Sequence, residues 1–348
     1  MDIPVEEART IATKTVANVV KALIGAAKVA EGDGNALACA KALLCEIDLP
    51  SLYVGRRQLF DACPCDVPLP TTLAPLEALV GYSFTKKALL VEAMTHCTDA
   101  TAHACYGRLA FLGDALIEGI VSDVIYQHSS SLSKTQMHLY RAAVVNESYL
   151  GFVAMDWHTA LKRVHVCPSS GYSPASKEVL VDVPFWKFMV FFSGEVEDEM
   201  EAAQARFASL QNDIKQALEA GDCHPWELLA RVRANGFFAD IVKSLVAAIW
   251  VDSGSMTFCS RVLEQMGILA YLRRILAKEV RVTNPLEELR VLAGSEEIKW
   301  SNNKGATNKT RHAVYIGSRL VADFISENGK DDMRMQLAVA AVSVLRRQ

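Results

Sequence analysis

Proline and glycine are scarce, 11 and 19 in 348 residues, which excludes collagen-like and low-complexity chains. The nine cysteines include no Cys-x-x-Cys pair, so a zinc ribbon has no ligand set, and Cys63-Pro64-Cys65 has no second pair beside it. No Gly-x-x-x-x-Gly-Lys-[Ser/Thr] loop is present, which excludes phosphate-loop nucleotide chemistry. Long apolar runs are missing too: the stretch from Val183 to Phe192 is too short to span a bilayer, and no membrane partner is expected. The first residues, Met1-Asp2-Ile3-Pro4-Val5-Glu6-Glu7, are acidic and unlike a secretion signal. Unpaired, odd-numbered cysteines are expected to be free thiols of a reducing compartment, hence an intracellular address, cytoplasmic or nuclear. There is also no excess of positive charge: 36 Lys and Arg face 40 Asp and Glu, a net charge of −4. That balance opposes polyanion binding unless basic residues cluster locally. Arg56-Arg57, Lys86-Lys87, Lys162-Arg163 and Arg273-Arg274 are candidate clusters, each more often a solvated helix face or turn, and none is interleaved with stacking aromatics.

What is present is a folded, mostly helical pattern with 51% hydrophobic residues, long enough for two domains. The chain repeats itself. Residues 17–29 align without a gap on residues 239–251, so Asn18 and Lys21 stand where the later copy has Asp240 and Lys243. A second stretch, Gly107-Arg108-Leu109-Ala110-Phe111-Leu112-Gly113-Asp114, places Gly107, Ala110 and Asp114 on one helical face, because spacings of three and seven return to the same side.

These two stretches resemble the ribonuclease III family, whose signature reads E-R-L-E-F-L-G-D and whose later helix carries D-x-x-E. The resemblance implies a two-magnesium (or manganese) site of carboxylates that would clamp a duplex-RNA phosphate. Asp114 and Asp240 are the retained metal and catalytic positions. Gly107, Ala110 and Lys243 replace three acids, and Asn18 and Lys21 replace two more in the first copy. Two carboxylates and one ammonium are too little charge for a pair of divalent ions. Lys243 either takes the place of metal or snorkels off the helix as a surface lysine. Glu118, one turn beyond Asp114, is a substitute ligand or a solvated acid. Arg108 and Asn146 are carried over as RNA-positioning residues, and His96 belongs to the family's Thr-His block, where packing is its expected role.

Two modules in one chain point to the Dicer branch, and the flanking blocks resemble the C-terminal part of fungal Dicer-like proteins of the second class. The expected organisation is the back half of a first ribonuclease III module at 1–50, a linker at 51–75, a second module at 76–278 with an insertion at about 160–222, and an appended domain at 284–348. That last domain is read as helix, three strands (about 297–300, 313–317 and 320–325) and a helix from about 331 to 347, resembling a double-stranded-RNA-binding domain. Lys304, Lys309 and Arg311 are its candidate phosphate contacts. The start of the last helix, Lys330-Asp331-Asp332, is acidic where such domains use lysines. Three readings remain: an active magnesium-dependent endoribonuclease, a pseudo-nuclease of RNA silencing that binds duplex RNA or a protein partner, and a truncated remnant. A second nuclease chain or self-association would complete the broken first module.

Overall fold

The computed structural model describes residues 12–44, 52–98, 105–128, 131–167, 175–304, 309–326 and 333–347. The chain divides into two compact units, residues 1–62 and 63–348.

In the first unit, α1 (Thr13–Glu31) and α2 (Asp33–Leu43) meet at Gly32. The corner needs φ +83° there, a conformation that glycine adopts without a Cβ clash. An ion pair, Lys28 to Asp33 at 3.5 Å, and a hydrogen bond from Asn35 to Glu31 at 2.7 Å close the corner. No residue of α1 is buried. A third helix, α3 (Leu52–Ala62), occupies the stretch expected to be a linker.

The second unit begins with α4 (Ala74–Val80), α5 (Lys87–Met94), α6 (Gly107–His128), α7 (Lys134–Val145) and α8 (Glu147–Asp156). The insertion opens as an antiparallel hairpin, β1 (His158–Cys167) with β2 (Ala175–Pro184). A 3₁₀ turn at Phe185–Phe188 follows. The apolar run noted in the sequence is thus a core plug, with Phe185, Trp186, Phe188 and Met189 buried. Next come α9 (Gly194–Ala220), α10 (Trp226–Val232), α11 (Gly236–Ser253), α12 (Met256–Gln265) and α13 (Ile268–Ala277).

The centre of this unit is α11, buried from Phe237 through Ala239 and Ile241 through Ile249 and packed on α5, α6 and α8. A helix apolar all round belongs inside a protein, and the bend of 101° between α10 and α11 keeps that pair from forming a straight span. Among the described residues no single helix is long and apolar enough to cross a membrane. The buried end of α11 is polar with a purpose. Asp252 accepts hydrogen bonds from Tyr82 Oη at 2.6 Å, Thr85 N at 2.8 Å and Lys86 N at 2.9 Å, tying the start of α5 to the end of α11. The Lys86 N–H, buried with the carboxylate, would otherwise be a desolvated orphan.

His224 is another buried polar residue of consequence. Its Nδ1 lies 2.8 Å from Tyr271 Oη, Trp226 and Tyr149 pack on its ring, and burial pushes its pKa down to about 3. The folded protein therefore holds this ring neutral, whereas the unfolded chain protonates it below about pH 6.5. Stability from this residue is complete above that pH and is lost on acidification towards the folded value, by about 1.4 kcal/mol per pH unit. Urea midpoints at pH 7, 6 and 5 should fall in the native chain, and the slope should be shallower in His224→Gln. Equal slopes in the two proteins would remove His224 from the account.

The C-terminal domain follows the order read from the sequence. It comprises α14 (Pro285–Ala293), capped by Asn284, then β3 (Ile298–Lys304), β4 (Thr310–Ile316), β5 (Arg319–Ser326) and α15 (Arg334–Leu345). The strands form one antiparallel sheet in chain order. Leu289, Val314, Ile316, Val321, Leu337, Ala338 and Ala341 make its core. His312 joins all three strands, with Nδ1 at 2.9 Å from Asn302 Oδ1 and Nε2 at 2.9 Å from Ser326 Oγ. The Lys330-Asp331-Asp332 segment lies outside the described residues.

One expectation fails outright. The cysteines are not all free thiols: Cys97 and Cys105 are joined in a disulfide. Their spacing hides the pairing, which depends on α6 starting back against the end of α5. Cys39, Cys63, Cys65, Cys223 and Cys259 are free.

Candidate active site

Two helices, α6 and α11, build the site, and a glycine sets their distance. A Cβ at Gly113 would stand 1.9 Å from the Lys243 carbonyl oxygen and 2.4 Å from its carbonyl carbon, so the helix backbones touch at this point. That contact leaves room only for a glycine before Asp114. It also fixes Asp114, the next residue, beside Lys243.

Lys243 is buried although charged, a position that demands partners. Its Nζ lies 3.0 Å from Asp114 Oδ1 and 3.9 Å from Asp240 Oδ1. Asp114 is half exposed, with 50% of its side chain accessible, against 11% for Lys243. The three groups therefore form a clamp with the ammonium inside and one carboxylate facing water. Burial raises the pKa of Asp240, Lys243 opposes that rise, and the negative charges of Glu147 and Asp114 add to it. The raised value shows that the lysine leaves part of the desolvation cost uncompensated.

On the signature face, Gly107 is exposed and Ala110 is buried, and neither offers a ligand atom. Glu118 is committed elsewhere, to Arg141 on α7 at 3.7 Å. Partial burial raises the pKa of Glu92, and Arg108 lies close enough to oppose that rise. Asn146 acts within the fold as the cap of α8. Its Oδ1 accepts from Tyr149 N at 2.9 Å, and its amide donates to the Ala142 and Ala143 carbonyls at 3.0 and 2.9 Å. His96 is buried and packs edge-on against Tyr106 and Phe237, the packing role expected of it. Asn18 and Lys21 lie exposed on α1 in the first unit.

The basic candidates are mostly engaged. Lys86 is buried, donating to the Cys63 carbonyl at 2.6 Å, and Lys87 pairs with Glu77 at 2.7 Å. Arg57 pairs with Asp61 at 3.0 Å, Lys162 with Glu178 at 3.4 Å, and Arg273 with Glu264. Arg274 donates to the Glu219 and Gly221 carbonyls, each at 2.7 Å. In the C-terminal domain Arg311 bonds Asp323 at 2.8 Å across the sheet. Lys309 is exposed just before β4, and Lys304 ends β3 with its side chain outside the described ones.

A two-metal centre needs several converging oxygens. Among the described residues no group of three or more acids, histidines or cysteines comes together in a way that could hold a metal ion. The donor set at Asp114 and Asp240 includes a cation at hydrogen-bonding distance, so these residues do not fit a divalent-ion pair. Glu147, at the first turn of α8, is the acid that motif reading missed. Its position directly after the capping Asn146 is the only sequence signal for it.

Residues 107–254 match the Ribonuclease III domain family, so α6 through α11 form a domain of that class. The chain is 36% identical to Dicer-like protein 2 of Cryphonectria parasitica over 99% of its own length, covering 25% of that protein. It is 36% identical over 92% of its length to Dicer-like protein 2 of Pyricularia oryzae, covering 22% of it, and 38% identical over 82% to that of Neurospora crassa, covering 20%. The chain belongs to the ribonuclease III family, with the fungal Dicer-like proteins. It spans about a quarter or less of the length of these curated relatives.

Proposed function

We propose that this chain is a duplex-RNA silencing protein of the pseudo-nuclease kind, in which Lys243 occupies the place of metal and cleavage is lost or nearly so. The carrying observation is the ammonium buried between Asp114 and Asp240. At about 4 Å and an effective dielectric near 20, each unit charge on a divalent ion would be repelled by about 4 kcal/mol. That is comparable to the whole free energy of a weak metal site. The remaining function is binding, to duplex RNA or to a second nuclease chain. Phe111, on the signature helix and 85% exposed, is a side chain that such a chain would cover.

The experiment is a long end-labelled RNA duplex incubated with the full chain and magnesium or manganese, with duplex binding measured in parallel at two salt concentrations. The expected result is intact duplex, with an affinity that falls steeply as salt rises, the mark of phosphate contacts. Manganese-dependent cutting that disappears in Asp114→Asn would overturn the reading. Salt-independent or absent RNA binding would leave the protein partner as the ligand.

A further inference from the structure

We infer that Cys97 and Cys105 form a reversible thiol–disulfide site that sets the order of the first turn of α6, and so couples cellular thiol status to the helix carrying Asp114. Both cysteines stand on independently anchored backbone. On the Cys97 side, Thr95 Oγ1 donates to the Val91 carbonyl at 2.7 Å, and His96 N donates to the Val190 carbonyl at 2.8 Å. On the Cys105 side, Tyr106 N donates to the Thr95 carbonyl at 3.0 Å. The His96 ring lies edge-on between Tyr106 and Phe237, at 5.4 and 5.6 Å. These contacts hold the two sulfurs together without the covalent bond, so the reduced thiols stay placed to close again.

Access is open. Cys97 is exposed and Cys105 half-buried, whereas disulfide exchange requires that a thiolate reach a sulfur. The bond also adjoins the candidate site: a Cβ at Gly107 would lie 3.5 Å from Cys97 Sγ and 3.8 Å from Cys105 Sγ. The sulfurs thus border the exposed position where the family signature has its first acid. The first turn of α6 contains no acidic residue to favour its dipole and begins with glycine, a poor helix former. The cross-link substitutes for that missing local support.

The step balances. A thiolate of the glutathione class attacks Cys97 Sγ, the sulfur–sulfur bond breaks, and Cys105 leaves as a thiolate that takes a proton from water. A second thiolate attacks the mixed disulfide and releases Cys97, which takes the second proton. Two electrons enter the protein and one reductant disulfide leaves. An organic disulfide such as oxidised glutathione reverses the sequence.

The test equilibrates the full chain in oxidised or reduced glutathione, blocks free thiols with N-ethylmaleimide and maps the peptides. Cys97 and Cys105 are expected to be linked in the first buffer, both labelled in the second, and linked again on return. Hydrogen exchange of residues 107–113 is expected to be about tenfold faster in the reduced chain. In Cys97→Ser it should match the reduced chain in both buffers. Independent labelling of the two cysteines, or exchange in 107–113 that ignores the buffer in the native chain, would overturn the inference. Both readouts use the native protein and hold whether or not the variant folds.

Discussion

Gly113→Ala is expected to destabilise the second unit by about 3–5 kcal/mol, the largest such effect expected at a glycine among the described residues, while Gly119→Ala on the same helix is expected to stabilise it. Helix propensity alone favours alanine over glycine at both places by about 0.5–1 kcal/mol. Sterics separate them. A Cβ at Gly119 meets nothing within 4 Å, whereas one at Gly113 would meet the Lys243 carbonyl oxygen at 1.9 Å. Ordinary overpacking costs about 1–3 kcal/mol when side chains can shift. Here the obstacle is main chain on both sides, so α6 and α11 must separate and loosen the packing around Phe238, Ile241 and Leu245, all fully buried. Urea unfolding of the two variants beside the native chain decides the matter, and equal midpoints for both would reject the close contact.

Lys243→Glu is expected to have the second-largest effect, and its sign should depend on metal. Without divalent ions the substitution puts a third carboxylate against Asp114 and Asp240 where an ammonium had been. Removing one partner of a buried charge pair costs about 3–5 kcal/mol when both are fully desolvated. The 50% exposure of Asp114 lets water screen part of this, so about 2–3 kcal/mol is expected. The loss should shrink on acidification. Asp240 already binds its proton more tightly than usual because it is partly buried, and without the lysine it should bind it more tightly still. A carboxyl with a raised folded-state pKa destabilises above that pKa and ceases to do so as pH falls through it. Manganese should replace the proton: a saturating ion at about 100 times its dissociation constant returns about 2.7 kcal/mol. Lys243→Met, with the same number of carboxylates as the native chain, is the control that should respond to acid and much less to manganese.

Much of this arrangement was legible in the sequence because it rests on short-range spacing. The Phe-Leu-Gly-Asp helix and the later helix with Asp240 and Lys243 were legible through their resemblance to the ribonuclease III patterns, and the helix–strand–strand–strand–helix order of the tail through strand and turn signals. The family pattern put Lys243 and Asp114 in one site but left open whether the lysine turns inward or snorkels to the surface, and the packing of α6 on α11 sets it inward against Asp114. What stayed hidden depends on tertiary placement. Residues 17–29 and 239–251 share a pattern, yet α1 contains no buried residue and α11 is a core helix, since burial is decided by neighbours rather than by the pattern. Lys86 reads as part of a basic pair but is buried on the Cys63 carbonyl. Arg311 reads as a phosphate contact, but the sheet register sets it beside Asp323. The pairing of Cys97 with Cys105 and the nearness of Glu147 to Asp240 likewise arise only once helices are packed.

The central claim is that a lysine stands in for metal between Asp114 and Asp240, and a manganese titration of the unmodified chain followed by electron paramagnetic resonance tests it most directly. The expected result is free manganese up to millimolar concentration, with a saturable site gained in Lys243→Glu and lost again when Asp114→Asn is added. A saturable manganese site in the unmodified chain that disappears in Asp114→Asn would contradict the account.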